Sequence, residues 1–326
     1  MAECASSIRC WAVLSFLVIV TGFVRPQASP SSGQQNDRYT ISINVDTVLL
    51  HATVRDRKGF PVSGLDQSAF QVYEDGVLQP IQSFRHDDIP VTVGLVVDNS
   101  GSMRSKRPEV IDAALAFAGF SNPQDQMFVV NFNEHVSFGL PGNARFTDQP
   151  VQLEIALSSI AARGMTALYD AIAAALDRLK AGDRDKKVLV VISDGGDNAS
   201  KLTLPQVVAL ARKSDAIIYT IGLFDVEDED RNPRVLAQLS RETGGEAFLP
   251  NSVSEARPIC ERIARDIRNQ YTIAYVPTNR KADGAYRVIQ LKATAPGRGR
   301  LFARTRTGYY APSATSSVVG NPNGEP

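Results

Sequence analysis

Between residues 91 and 270, the chain alternates between short, uninterrupted apolar runs and longer stretches with helical spacing. Four runs rich in Val and Ile predict buried strands at residues 91–97, 126–132, 186–193 and 216–224. Apolar residues at every third or fourth position predict helices at residues 108–120, 166–180, 204–214, 233–244 and 254–270. Continuous apolar strands that alternate with helices are typical of a mainly parallel, doubly wound sheet with both faces covered. We therefore predict an α/β domain over residues 91–269.

On both sides of this region, the pattern changes to a period of two, which is typical of half-buried antiparallel strands. The N-terminal β segment spans residues 39–90, and the C-terminal β segment spans residues 270–311. Each segment alone would leave long strand edges unpaired. We therefore predict that the two segments associate into one small β-sandwich, with the α/β domain inserted between them.

The first residues have the pattern of a secretory signal peptide. Arg9 precedes an apolar run at residues 11–24, and a polar stretch follows. We predict a cleavable signal over residues 1–28, a linker over 29–38 and a disordered tail over 312–326, with no membrane span in the mature chain. A retained N-terminal anchor is the alternative. Either reading places the protein in the cell envelope, in the periplasm or outside the cell.

Composition narrows the function classes. The 326 residues contain 35 Lys and Arg and 35 Asp and Glu, so no net charge attracts the chain to nucleic acid. Cys4 and Cys10 fall within the predicted signal, which leaves Cys260 as the one cysteine of the mature chain. An internal disulfide or a Cys-x-x-Cys zinc site is thereby excluded.

Three groups of oxygen-bearing side chains follow, or lie beside, the carboxyl ends of predicted strands. The first is DNSGS at residues 98–102, the second is GMTAL at 164–168, and the third is SDGGD at 193–197. In an open parallel sheet, such ends meet at one edge, where ligands bind. Oxygen donors without histidine favour a hard cation, so we predict a site for Mg²⁺, with Ca²⁺ or Mn²⁺ as alternatives.

Several kinds of catalysis are disfavoured by the same residues. A nucleophilic serine needs a base within reach, and His51, His86 and His135 lie outside all three groups. Haloacid dehalogenase-type phosphotransferases need a second Asp two positions after the first, and Ser100 occupies that position. Hydrogen-bonded turns and helix caps, in which Ser100, Ser102 and Thr166 would cap helices, are the structural alternative to a metal site.

The sequences DNSGSM, GMTALYDAI and VLVVISDGGDN resemble the three loops of the metal-ion-dependent adhesion site (MIDAS) in von Willebrand factor type A (VWA) domains. The β segments resemble those of VWA-related proteins described mostly from Acidobacteria, in VRDRKGFPVSGLDQSAFQVYEDGVLQPIQSF, TGGEAFLP, YTIAYVP and RTRTGYYAP. The resemblance implies a Rossmann-like VWA fold and a bacterial protein that binds other proteins.

The resemblance also implies a role for each site residue. Ser100 and Ser102 would coordinate the ion directly, and Thr166 would do so directly or through water. Asp98 and Asp194 would bind directly or through water. Asn99 would shape the turn, and Asp197 would be an outer-sphere group or a solvated acid.

The expected function is non-enzymatic adhesion, in which the ion captures an acidic side chain of a partner protein. A metal-assisted hydrolase that uses Asp98, and a structural subunit with a stabilising metal, are the alternatives. Two groups of charged residues could bind ligands, the first a second calcium-like ion and the second an anion, but we favour a solvated surface for both. They are the acids at residues 225–230 and the arginines Arg298, Arg300, Arg304 and Arg306.

Overall fold

A computed structural model describes residues 47–224 and 231–313 of the chain. The predicted signal peptide, the linker, the acidic run at 225–230 and almost all of the predicted tail lie outside these residues. The strands, in chain order, are β1 (Val48–Arg55), β2 (Phe70–Glu74), β3 (Val77–Gln79), β4 (Ile81–Arg85), β5 (Val91–Asp98), β6 (Gln126–Phe132), β7 (Val136–Phe138), β8 (Lys186–Ser193), β9 (Ile217–Gly222), β10 (Ala247–Phe248), β11 (Tyr271–Tyr275), β12 (Tyr286–Ala293), β13 (Phe302–Arg304) and β14 (Gly308–Tyr310).

In residues 47–224 and 231–313, six α-helices accompany the strands, all between β5 and β11. They are α1 (Arg107–Phe120), α2 (Pro150–Ser158), α3 (Leu168–Lys180), α4 (Leu204–Lys213), α5 (Pro233–Thr243) and α6 (Ala256–Arg268). A 3₁₀ helix over Gly101–Lys106 precedes α1. No helix within the described residues is long and apolar enough to cross a lipid bilayer.

The central sheet has six strands in the spatial order β10-β9-β8-β5-β6-β7. All neighbours pair in parallel except β6 and β7, which are antiparallel. Every residue of β5 is buried, as is every residue of β9. Strands covered on both faces need apolar side chains at every position, which explains the uninterrupted Val and Ile runs. The predicted α/β class with a mostly parallel sheet is therefore confirmed.

The other strands of the described residues form two four-stranded antiparallel sheets. Their spatial orders are β13-β1-β11-β4 and β14-β12-β2-β3. In each sheet a strand from before the α/β domain pairs with a strand from after it: β1 with β11, and β2 with β12. Buried residues of both sheets, among them Leu50, Val72, Ile273 and Leu291, share one apolar core. The α/β domain is thus an insertion between the two β segments.

The chain after residue 299, which belongs to the predicted C-terminal β segment, does not continue as one strand of one sheet. It forms β13 in one sheet and β14 in the other, because the backbone crosses between the sheets around Thr305. Arg304 and Arg306 consequently do not share a solvated face. Each forms an ion pair with the α/β domain, Arg304 with Glu246 and Arg306 with Asp215.

An ion-pair network joins the sandwich to the last helix of the α/β domain. Arg55 of β1 contacts both Asp266 of α6 and Glu246, the latter at 3.1 Å, and Arg304 contacts Glu246 at 2.9 Å. The Asp266 side chain is only 3% exposed. Gln270, which links α6 to β11, donates hydrogen bonds to Thr53 and to the hydroxyl of Tyr219. The end of α6 is therefore held to the sandwich by the backbone that leads directly into β11 and by these polar contacts.

Candidate metal site

The predicted oxygen donors lie at the carboxyl edge of the central sheet. Asp98 is the last residue of β5, and Asp194 directly follows β8. These two strands are neighbours and run in parallel, so their carboxyl ends lie side by side. Thr166 reaches the same edge from the loop that precedes α3, because the amide of Ala167 donates a hydrogen bond to the carbonyl of Asn133 after β6.

The first loop turns sharply after β5. The Asp98 carboxylate accepts a hydrogen bond from the amide of Ser100 through Oδ1, at 2.8 Å, and from the hydroxyl of Ser193 through Oδ2, at 2.6 Å. This turn brings the Ser100 and Ser102 hydroxyl oxygens to 3.2 Å from each other. Neither hydroxyl accepts a capping hydrogen bond from the 3₁₀ helix or from α1. The helix-cap interpretation therefore does not account for them.

The second loop is held by its neighbours on both sides. The carbonyl of Gly164 accepts a hydrogen bond from the amide of Gly101 at 3.1 Å, and the amide of Thr166 donates one to Asn198 Oδ1 at 2.8 Å. Glu134 Oε2 accepts a hydrogen bond from the amide of Met165. The Thr166 side chain makes no capping bond to α3 and is almost fully buried. The three loops are thus fastened to one another.

The third loop turns away from β8 at Gly195, which has a φ of +79°. A Cβ atom there would lie 2.6 Å from the carbonyl oxygen of Asn232, so both the conformation and the space favour glycine. The turn places Asp194 Oδ2 within 2.5 Å of the Ser102 hydroxyl, and the amide of Gly196 donates to Asp194 Oδ1. This contact connects the first and third loops.

Four of the five predicted donors line one pocket of about 150 Å³. They are Ser100, Ser102, Thr166 and Asp194, and Asn198 joins them at the rim. Adjacent oxygens of an octahedral site with metal–oxygen bonds of 2.0–2.1 Å are about 3 Å apart. The distance between the hydroxyl oxygens of Ser100 and Ser102 is 3.2 Å, and that between the Ser102 hydroxyl and Asp194 Oδ2 is 2.5 Å. These two distances lie on either side of the octahedral value. The donor set and its spacing therefore fit a small hard cation.

Asp98 lies behind the pocket. Its side chain is buried and is not among the residues that line the cavity. Both of its carboxylate oxygens accept hydrogen bonds from the protein. Burial, followed by repulsion from the charge of Asp194, raises the pKa of Asp98 to about 6. A cation in the pocket would offset this repulsion. Asp98 is thus placed to orient Ser100 and to contribute charge, with any contact to the ion made through water or after a small shift.

Carboxylates are a minority of the donors. Within the described part of the chain, no three His, Cys, Asp or Glu side chains cluster in a way that could hold a metal by themselves. Hydroxyl groups supply three of the four predicted donors at the pocket. Asp98 and Asp194 together would balance a divalent ion, but Asp194 is the one carboxylate among the residues that line the pocket, so its direct ligands would leave one positive charge unbalanced.

Other residues near the site have structural roles. Asp197 accepts hydrogen bonds from the amides of Tyr169 and Ser200, so it anchors the start of α3. Asn99 is fully buried and donates to the carbonyl of Val97, which supports its predicted role in the turn. Ser193 and Asn198 belong to the third loop as the sequence delimits it, but neither was assigned a role from the sequence. An oxygen-bearing side chain next to each loop aspartate was the available signal, but it does not distinguish a ligand from a hydrogen-bonding neighbour.

The fold and pocket define an α/β protein with an oxygen-lined pocket at the carboxyl edge of a parallel sheet. The family model described as "von Willebrand factor type A domain" matches residues 93–196, and the chain therefore contains a VWA domain. The matched residues run from β5 through the third loop. No curated protein matches the chain.

Several solved structures are similar in fold. A structure described as von Willebrand factor type A from Catenulispora acidiphila is 15% identical and covers 82% of this chain and 74% of its own, with a TM-score of 0.49. The vWF domain of the type V pili tip protein Mfa5 from Porphyromonas gingivalis is 13% identical, covers 55% and 95%, and has a TM-score of 0.47. An aerotolerance-related membrane protein from Bacteroides fragilis is 14% identical, covers 54% and 98%, and has a TM-score of 0.44.

Proposed function

We propose that this protein is an exported interaction module that holds a divalent cation, Mg²⁺ or else Ca²⁺ or Mn²⁺, at its VWA domain and captures an acidic side chain of a partner protein. The observation that carries the proposal is the shared pocket of Ser100, Ser102, Thr166 and Asp194, in which oxygens from three separate loops converge. Asp98 completes the donor set from behind. The signal-like N-terminal residues support export, and the resemblance to the Acidobacteria-type proteins stays a prediction.

The chemistry of the donors explains why such a site would bind a carboxylate. With Asp194 as the one carboxylate at the pocket and neutral hydroxyls as the other ligands, one positive charge of the ion would not be compensated by its direct ligands. An incoming carboxylate would supply both the missing charge and a ligand. A charge-assisted bond of this kind is strong where water is partly excluded, as it is in a pocket whose donor side chains are mostly buried.

The enzymatic alternative has less support from the geometry. A nucleophilic or basic Asp98 would need a free carboxylate oxygen that faces the substrate. Both of its oxygens accept hydrogen bonds, and the pocket wall does not include it. The coarser conclusion, a VWA domain of the kind that commonly mediates protein interactions, rests on the family match alone.

Metal uptake is tested first. We expect isothermal titration calorimetry of EDTA-treated protein with MgCl₂ to show one site, and excess Mg²⁺ to raise the melting temperature. Saturation at a hundred times the dissociation constant would add about 2.7 kcal/mol of stability. The Ser100→Ala/Ser102→Ala variant should lose both effects, whereas Ser105→Ala, an exposed serine of the same 3₁₀ helix, should retain them. Uptake by the double variant equal to that of the native protein would refute the assigned ligands.

Partner capture is tested second. Immobilised protein should retain a partner from an envelope extract in Mg²⁺ and release it in EDTA, and the Ser100→Ala/Ser102→Ala variant should retain none. Capture that survives EDTA would contradict the adhesion mechanism. Metal uptake without any captured partner would favour the structural role. Turnover of a phosphoester or peptide substrate that Asp98→Ala abolishes would favour the hydrolase.

A further inference from the structure

A second cavity lies far from the candidate metal site. It measures about 930 Å³ and separates the end of α4 and the start of β9 from the loop at residues 277–284 and β14 of the sandwich. Cavities of this size hold small-molecule ligands. It opens at the amino edge of the central sheet, whereas the metal site lies at the carboxyl edge. The eight residues of β8 separate the two edges by roughly 25 Å.

Basic residues outnumber acidic residues in the lining of this cavity. The six basic residues are Arg212, Lys213, Arg280, Lys281, Arg287 and Arg306. The three acidic residues are Asp185, Asp215 and Glu242. The lining therefore carries an excess of three positive charges, although the full chain has equal numbers of acidic and basic residues. We call this cavity the basic cleft.

Part of the positive charge has no acidic partner. Arg212 pairs with Glu242 at 3.0 Å, and Arg306 pairs with Asp215 at 2.9 Å. Among residues 47–224 and 231–313, no carboxylate lies within ion-pair distance of Lys213, Arg280 or Lys281. These three side chains are therefore available to an anion in the cleft.

Buried contacts fix the backbone that presents these cations. The guanidinium of Arg287 is almost fully buried, pairs with Glu74 and donates hydrogen bonds to the carbonyls of Asn279 and Lys281. It thus holds the loop that carries Arg280 and Lys281. On the facing wall, the Lys213 ammonium lies 5.9 Å from the centre of the Tyr310 ring. Less ordering is needed when a ligand binds to groups that are already held in place.

His51 also lines the cleft, and its protonation state decides whether it adds to the positive charge there. Burial, and then the charges of Lys186 and Arg306, together lower the pKa of His51 to about 3. Its imidazole is therefore neutral at physiological pH and adds no charge to the three excess cations.

We propose that the basic cleft binds a small soluble polyanion that carries two or more phosphate or carboxylate groups. Lys213, Arg280 and Lys281 contact the anionic groups from two walls, and Tyr310 borders the same space. The ligand bridges the VWA domain and the sandwich, because Lys213 belongs to one and the loop of Arg280 and Lys281 to the other. This site is independent of the proposed metal site.

Calorimetry with tripolyphosphate and with citrate tests the proposal without occupancy of the metal site, provided that metal is first removed on a chelating resin and the buffer contains no soluble chelator. At least one probe should bind the native chain saturably with a stoichiometry of one, and acetate should not. The probe that binds separates phosphate from carboxylate ligands. Affinity should fall as the NaCl concentration rises, since the contacts are between charges.

Three variants locate the binding. Arg280→Ala/Lys281→Ala should weaken it at least tenfold, and it leaves the backbone carbonyls that Arg287 binds in place. Arg57→Ala/Lys58→Ala removes an exposed basic pair from a different turn of the sandwich and should change affinity less than twofold. Asp185→Asn removes an opposing charge and should tighten binding two- to fivefold. The proposal would be overturned if neither probe bound saturably, or if the two double variants weakened binding equally.

Discussion

Replacement of Lys186 by Met provides a quantitative test of the buried electrostatics. Lys186 begins β8, its side chain is buried, and its ammonium donates a hydrogen bond to the carbonyl of Ile267 at the end of α6. Burial lowers its pKa from 10.5 to about 7, against a partly opposing attraction from Asp125 and Asp88. The folded protein therefore binds the proton of Lys186 less tightly than the unfolded chain does.

The direction of the pH effect follows from proton linkage. Between pH 7 and 10.5, the unfolded chain keeps the proton that the folded protein releases, so the free energy of unfolding rises with pH. The cost of the buried ammonium is present in full below pH 7 and disappears by about pH 10.5. A shift of 3.5 pKa units corresponds to about 5 kcal/mol at 1.36 kcal/mol per unit.

The Lys186→Met variant should therefore be more stable than the native chain near pH 6.5. Loss of the hydrogen bond to Ile267 offsets about 1–3 kcal/mol, which leaves a net gain of about 2–4 kcal/mol. This advantage should decrease by about 1.4 kcal/mol per pH unit between pH 7 and pH 10. The slope follows from the two pKa values of Lys186 in the folded and unfolded chains, because the variant has no titrating group at this position.

Urea denaturation at half-unit pH steps, in EDTA, measures the difference between the two chains. Lys180→Met is the matched control, since the Lys180 ammonium is exposed and pairs with Asp177 on the surface. Its effect should stay constant with pH. Parallel stability curves for the native chain and Lys186→Met would refute the reasoning, as would a variant that is less stable at every pH.

Three further substitutions test other parts of the structure by urea denaturation. Arg55→Met should cost about 3–5 kcal/mol because it leaves the buried carboxylate of Asp266 without its closest partner, and Arg55→Met/Asp266→Leu should recover most of that loss; no recovery would contradict the pairing. Gly195→Ala should cost about 1–3 kcal/mol, since φ is +79° and the Asn232 carbonyl blocks a Cβ atom, and a neutral effect would show that the loop can turn differently. Asp197→Ala should cost about 1 kcal/mol through the loss of two backbone hydrogen bonds while Mg²⁺ uptake persists, so loss of uptake would assign it to the metal site.

The α/β core was predictable because its signal is local. All residues of β5 are buried, and an uninterrupted apolar run is the direct consequence of burial on both faces. The helices after β5 were predictable where one face is polar. Helix α2 was missed, as it is short and two of its apolar side chains, Val151 and Ile155, are exposed. Such a helix lacks the one-sided pattern that identifies others.

The site was predictable as a set of loops, but not as a geometry. The residue types and the ends of β5 and β8 follow from the sequence, because the carboxyl ends of parallel neighbours must meet. The placement of Asp98 behind the pocket does not follow, since it depends on the hydroxyl of Ser193, which was not recognised as a partner. Asn198 reaches the rim through its bond to Thr166, a contact between loops that are 32 residues apart.

Local spacing by itself determined the strand–helix alternation, the two flanking β segments and the three oxygen-rich loops, because burial and turn formation act on neighbouring residues. Tertiary structure alone decided that the last β segment is divided between two sheets. It also decided the ion pairs that Arg55 and Arg304 of the sandwich form with the α/β domain, and the basic cleft. These features depend on which side chains meet after the α/β domain is inserted. Coulomb and hydrogen-bond energies depend on distances between residues that the chain separates by up to 254 positions, and those distances exist only in the folded protein.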